Sequence, residues 1–99
     1  MNFNGKCYQI LKKVPKGKVT TYKEIAKALG TKAYRAVGNA MQKNPYAPTV
    51  PCHRVVKNNG SIGGYAQGVK EKITLLKKEG IEVKNNKIDL EKYLHKFNS

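Results

Sequence analysis

Thr21-Tyr22-Lys23-Glu24-Ile25-Ala26-Lys27-Ala28-Leu29-Gly30-Thr31-Lys32-Ala33-Tyr34-Arg35-Ala36-Val37-Gly38-Asn39-Ala40-Met41 holds two helix-forming runs on either side of one glycine. Thr21 followed by Glu24 is a capping box, and it opens a short helix with Ile25, Ala26 and Leu29 inward. Gly30 ends that helix. Thr31 is expected to cap the next, whose Ala33, Ala36, Val37, Ala40 and Met41 form a narrow face of small residues. Two short helices joined by a tight glycine-containing turn are the signature of a helix-turn-helix.

The flanks extend this reading. Upstream, Phe3, Cys7, Ile10, Leu11 and Val14 recur at helical spacing, so an amphipathic helix precedes the turn Pro15-Lys16-Gly17-Lys18. Downstream, Pro45, Pro48 and Pro51 predict a fixed irregular loop. Residues 54–64 are expected to form a hairpin, with Val55-Val56 outgoing, Asn58-Asn59-Gly60 turning and Ile62 returning, which would be the wing. A helix from near Gln67 to Gly80 should turn Val69, Ile73 and Leu76 inward and carry Glu79 in its last turn. Ile81-Glu82-Val83 and Lys87-Ile88-Asp89 flank Asn85-Asn86 as a second expected hairpin, and Leu90, Tyr93, Leu94 and Phe97 suggest a short terminal helix. The expected fold class is mainly α, a winged helix-turn-helix: a three-helix DNA-binding bundle with a small β-hairpin wing and a short C-terminal extension. Residues 1–99 read as one domain without repeats or an internal boundary.

Composition limits the function classes. A chain of 99 residues buries about 65% of the surface its unfolded form exposes, enough to fold alone with little to spare. Lys and Arg number 20 against 6 Asp and Glu, giving a net charge of +14 and favouring a polyanionic partner, nucleic acid first. Lysine bias alone can follow genome base composition, since only Arg35 and Arg54 are not lysine. The distribution argues for function: no acid lies between Ile25 and Lys70, where Lys27, Lys32, Arg35, Lys43, Arg54, Lys57 and Lys70 stand unopposed. No apolar run approaches the roughly 20 residues of a membrane-spanning helix, and the first residues lack the apolar core of a signal peptide. A cytoplasmic location and no membrane partner are therefore expected. Cys7 and Cys52, with His53 and His95, are too few for a disulfide framework or a dedicated zinc site, so no metal and no cofactor are expected.

Pro51-Cys52-His53-Arg54-Val55 is the densest chemical signal. A thiol becomes a strong nucleophile where neighbouring groups favour its thiolate. In a strand Cys52 and His53 would point to opposite faces, so cooperation requires a turn, which Pro51 makes plausible. Taken alone, a Cys-His dipeptide more often marks a small buried hydrophobe beside a histidine.

From about Val14 to Gly80 the chain resembles the catalytic, DNA-binding domain of the O6-alkylguanine-DNA alkyltransferases. Val14-Pro15-x-Gly17, Thr21-Tyr22, Arg35-Ala36-Val37-Gly38-x-Ala40-Met41, Asn44-Pro45, Pro51-Cys52-His53-Arg54-Val55-Val56, Gly60, Gly64-Tyr65 and Glu79-Gly80 fall in that family's order and spacing. The resemblance implies irreversible, single-turnover transfer of an alkyl group from O6-alkylguanine, mainly O6-methylguanine, in duplex DNA to the protein's own cysteine. Cys52 is then the acceptor, His53 the base acting through a water, and Glu79 the carboxylate that orients the imidazole. Tyr22 serves a ring nitrogen of the base, and Asn44 braces the Cys52 loop. Tyr65 and the Ala66 amide meet the lesioned oxygen, while the Cys52 and Val55 carbonyls take the exocyclic amine.

Arg35 resembles the arginine that fills the base stack when the damaged nucleotide rotates out, a task suited to a planar guanidinium. Thr21, Tyr34, Ala36 and Gly38 go with it on the DNA-facing side, the small residues allowing close approach to the minor groove. Arg54 is expected to tie its loop down through hydrogen bonds to carbonyls. Cys7 is read as a core side chain, His95 as solvent-facing, and Tyr8, Tyr34, Tyr46 and Tyr93 as packing or surface groups. Many family members carry an N-terminal domain, some with zinc, whereas about a dozen residues precede the matching block here, so zinc is not implied. Ala66 and Gln67 depart from residues common in the family and bear on the size of O6 substituent accepted. A monomer is expected. The chief rival is a non-catalytic alkyltransferase-like lesion binder, a class that lacks the acceptor cysteine. A winged-helix regulator leaves the spacing of Cys, His, Asn, Tyr and Glu unexplained, and a cysteine hydrolase lacks a visible oxyanion hole.

Overall fold

The computed structural model describes residues 2–46, 49–65 and 67–97. Among them, α1 (Phe3–Leu11), β1 (Thr20–Thr21), α2 (Tyr22–Ala28), α3 (Tyr34–Gln42), a 3-10 turn (Cys52–Arg54), β2 (Val55–Val56), α4 (Val69–Lys78) and α5 (Leu90–Tyr93) follow in order. The fold is mainly helical with a two-stranded sheet, as expected, and no helix of the described residues is long and apolar enough to cross a membrane.

The helix termini are set by local chemistry. Asn2 caps α1 by accepting from the Gly5 amide, and Thr21 caps α2 by accepting from the Glu24 amide. Asn58 adds a second cap to α2 from across the chain, accepting from the Lys23 amide at 3.1 Å. The ends of α2 and α4 share one motif, in which a glycine with positive φ lets the chain fold back on the last turn. At α4, Gly80 donates to the Lys77 carbonyl and Ile81 to the Leu76 carbonyl, which leaves Glu79 as the last residue before the reversal.

Two apolar clusters hold the elements together. Cys7, Leu11, Ile25, Ala26, Val37, Ala40, Met41, Cys52 and Val55 belong to the first, between α1, α2, α3 and the Cys52 turn. The second gathers Val19, Val56, Ile62, Leu76, Ile81, Ile88 and Tyr93 around the sheet, α4 and the C-terminal segment. Buried Tyr8 joins α1 to α3 by donating its hydroxyl to the Ala40 carbonyl at 2.9 Å.

Several expectations need correction. Thr31 does not cap α3; its hydroxyl accepts from the Ala33 amide, and α3 begins at Tyr34 without a side-chain cap. Val55-Val56 does not pair with Ile62 in a hairpin but runs parallel to Thr20-Thr21. The turn at Lys57–Gly60 does form, yet the returning arm pairs onward, with the Ile62 amide donating to the Asn86 carbonyl and that of Ile88 to the Gly60 carbonyl. Gly60 is required there, since a Cβ would stand 2.6 Å from the Ile88 oxygen. On α4 the buried stripe is rotated: Val69 is exposed and Lys72 is buried with Leu76. His95 is half-buried; its amide donates to the Val19 carbonyl, and its carbonyl accepts from the Thr20 hydroxyl. The second expected hairpin is reduced to its turn: Asn85 and Asn86 both take positive φ, Lys84 and Lys87 form an isolated bridge, and 81–83 and 87–89 are not strands.

Candidate active site

Cys52 begins the 3-10 turn, and that turn resolves the problem of adjacent residues facing apart, because Cys52 and His53 no longer alternate as they would in a strand. The turn is anchored on both sides. Asn44, buried, donates to the Val50 carbonyl at 2.8 Å and accepts from the Tyr46 amide at 2.9 Å, so it braces the approach to Cys52. Arg54 donates to the Val14 carbonyl at 2.8 Å and grips Glu79 with two nitrogens, at 2.9 and 2.7 Å. The carbonyl anchor was expected; the carboxylate grip was not.

Glu79 sits at the C-terminal end of α4, where the helix dipole disfavours an anion. The opposing charge of Arg54 and the His53 hydrogen bond offset this: burial raises the carboxyl pKa, but the two partners outweigh it and hold Glu79 below its ordinary range. His53 lies 2.9 Å from Glu79 through Nε2. With an ionised carboxylate as acceptor, Nε2 carries the hydrogen and Nδ1 the lone pair. Nδ1 is buried and has no hydrogen-bond partner among the described residues. Burial lowers the His53 pKa despite Glu79, so the ring is neutral at about pH 7 and able to accept a proton.

Cys52 opens into a cavity of about 250 Å³ whose walls include Tyr22, Arg35, Gly38, Met41, Gly64 and Tyr65. Tyr22 and Tyr65 both have raised pKa values, through burial first and Cys52 second, so their hydroxyls stay protonated donors. The Tyr65 ring stands edge-on to His53. Arg35 and Gly38 project from α3, exposed and half-buried respectively, Ala36 is half-buried beside them, and Tyr34 is exposed. Thr21, also expected on the DNA-facing side, is buried, and its hydroxyl caps α2. The Cys52 and Val55 carbonyls already accept hydrogen bonds, from the Val55 amide and Lys72 Nζ, so each retains one lone pair for a ligand. Ala66 lies outside the described residues. Cys7 is buried in the core, and burial raises its pKa.

Sequence reasoning missed Lys72 and Asn58. Lys72 looks like a surface lysine until α4 is docked, while Asn58 appears only as a turn residue. No group of three or more His, Cys, Asp or Glu side chains gathers among the described residues.

The family described as the DNA binding domain of 6-O-methylguanine DNA methyltransferase matches residues 2–81. A methylated-DNA–protein-cysteine methyltransferase of Saccharolobus islandicus is 51% identical over 81 residues, covering 82% of this chain and 52% of that protein. A bifunctional methyltransferase/endonuclease of Picrophilus torridus is 44% identical over 93 residues, 93% of this chain and 30% of the relative. This chain thus spans about half the length of the first protein and less than a third of the second. S. pombe Atl1, solved with damaged DNA containing O6-carboxymethylguanine, is 33% identical with a TM-score of 0.86, covering 96% of this chain and 95% of that one. The match over residues 2–81, taking in the Cys52 turn, the helix-turn-helix and Glu79, makes this chain a member of the 6-O-methylguanine DNA methyltransferase DNA-binding domain family.

Proposed function

We propose that this protein repairs O6-alkylguanine, mainly O6-methylguanine, in duplex DNA by moving the alkyl group irreversibly to Cys52. The observation that carries the proposal is a cysteine facing a cavity beside a histidine whose Nε2 is held by Glu79 and whose buried Nδ1 has no partner among the described residues. In the proposed step a water relays the Cys52 proton to Nδ1, and Sγ attacks the alkyl carbon. The S–C bond forms as the C–O6 bond breaks, and the bonding pair leaves with the guanine. Tyr22, kept protonated by burial, donates toward a ring nitrogen of the departing base and makes it a better leaving group. No step removes the alkyl group from sulfur, so each molecule acts once. Arg35, at the cavity mouth on α3, fills the gap in the base stack.

A second reading, lesion binding without transfer, draws support from the likeness to Atl1 along nearly its whole length. Intact mass and peptide mapping after mixing with O6-methylguanine duplex separate the two. One methyl group on Cys52 and no second turnover is expected. Tight binding with unchanged mass supports the second reading, and methylation at Cys7 or repeated turnover overturns the first.

A further inference from the structure

Residues 82–97 follow the stretch that matches the family and line no part of the Cys52 cavity, yet they are tied to the body of the protein. The Val19 amide donates to the Tyr93 carbonyl at 2.9 Å, the His95 amide donates to the Val19 carbonyl at 2.7 Å, and Phe97 packs against the first apolar cluster. The His95 and Phe97 rings meet edge-on with centroids 5.1 Å apart, so both lie on one side of the segment. Lys96, between them, is turned the other way and is exposed. It lines a groove of about 410 Å³ with Lys13 and with Lys27 of α2, over apolar Ile10 and Phe97, and Glu24 is the one acid there.

Lys27 also lines a second groove, of about 300 Å³, with Lys23, Lys32 and Tyr34 at the turn between α2 and α3. Tyr34 adjoins Arg35, so this groove borders the face expected to meet DNA. A helix is about 10 Å across, and a strand of duplex advances about 3.4 Å per nucleotide, so roughly three nucleotides span the two grooves. Among the described residues, none of the ammoniums of Lys13, Lys23, Lys27, Lys32 and Lys96 enters a salt bridge or a hydrogen bond. Like charges left unpaired along one path repel one another, a cost that a polyanion removes.

We propose that Lys13 and Lys96 extend the DNA-binding surface beyond the helix-turn-helix, so that the phosphate backbone runs from the groove at Lys23 and Lys32 across Lys27 to the C-terminal segment. This extension rests on duplex binding, which both readings above share, and not on alkyl transfer. The rival is that these lysines act only through net charge.

Salt dependence of filter binding to one O6-methylguanine duplex separates the two. Each phosphate contact contributes about 0.9 to the log–log slope, so Lys13→Gln/Lys96→Gln should be shallower than wild type by about 1.8 and Lys96→Gln alone by about 0.9. Lys77→Gln/Lys78→Gln removes the same charge from exposed residues that line neither groove, and should change the slope by less than about 0.4. Benzyl transfer from free O6-benzylguanine, which needs no DNA, should stay within about twofold in every variant. An unchanged slope in Lys13→Gln/Lys96→Gln, or an equal change in Lys77→Gln/Lys78→Gln, overturns the proposal. Acetylation by sulfo-NHS-acetate, mapped by peptide mass, gives a second measurement on the unaltered chain. Duplex should protect Lys13 and Lys96 together with Lys27, and equal acetylation of Lys13 and Lys96 with and without duplex overturns the proposal. Failure of wild type to retain the duplex overturns both this extension and the DNA-repair reading, whereas binding with an unaltered slope in the variants overturns the extension alone.

Discussion

Replacing Glu79 by Gln keeps the shape of the side chain and removes its charge, and the structure gives the size of the effect. The carboxylate accepts three hydrogen bonds, from His53 Nε2 at 2.9 Å and from Arg54 at 2.9 and 2.7 Å. The side chains of Glu79 and Arg54 are only 10% and 16% exposed, so solvent screens the pair weakly. A hydrogen bond to a charged group contributes roughly 1.5–3 kcal/mol, and an amide oxygen can retain about one of the three. Losing the other two and leaving Arg54 without its counter-charge should cost about 3–5 kcal/mol, the range for breaking a buried pair. Urea unfolding of wild type, Glu79→Gln, Arg54→Met and the double variant measures this. The double variant should lose at least about 1 kcal/mol less than the sum of the singles. The pH dependence has a definite sign. Because the folded state holds the Glu79 carboxyl below its ordinary range, the unfolded state binds more protons there. The stabilisation is therefore complete above the unfolded carboxylate pKa of about 4.3 and disappears as pH falls through the folded value. The gap between wild type and Glu79→Gln should narrow over that acid window. The same variant should slow benzyl transfer, as should His53→Ala. A cost below about 1 kcal/mol, a gap that stays constant into acid, or unchanged transfer in both variants would refute the His53–Glu79–Arg54 argument.

Two further outcomes concern DNA. Arg35→Ala should slow methyl transfer from duplex far more than benzyl transfer from the free base, and Arg35→Lys should resemble it because the planar group is lost; equal impairment of both reactions would make Arg35 a support for the cavity. Duplex affinity should fall with salt at a log–log slope of roughly −5, from about six phosphate contacts along the basic middle of the chain, with slight sequence preference. Filter binding at several salt concentrations measures the slope, and a flat dependence would count against the electrostatic reading.

The features legible in the sequence are those whose causes lie within a few residues. Thr21 and Gly30 mark the limits of α2 because a cap and a left-handed turn act over three or four positions. Cys7 falls on the apolar stripe of α1 and is buried where that phase puts it. The Cys52-His53 pair and Glu79 came from family spacing, since no local rule connects residues 26 positions apart. Thr31 misled because its hydroxyl satisfies the Ala33 amide in a tight turn instead of the first turn of α3.

Only the tertiary structure decided the rest. Two-residue β2 contains too little pattern to name its partner, and it pairs with β1 because folding brings Thr20-Thr21 alongside. Lys72 looks like one more lysine on a charged helix, since a lone ammonium is rarely buried. Its burial follows from docking α4 against β2 and the Gly63-Gly64 segment, where the Val55 and Gly64 carbonyls accept its hydrogen bonds. Local sequence could specify helices and their ends because their hydrogen bonds close over short separations. The carboxylate beneath His53, the grip of Arg54 and the buried ammonium behind the cavity depend on which distant segments meet, and that was determined by packing the two apolar clusters.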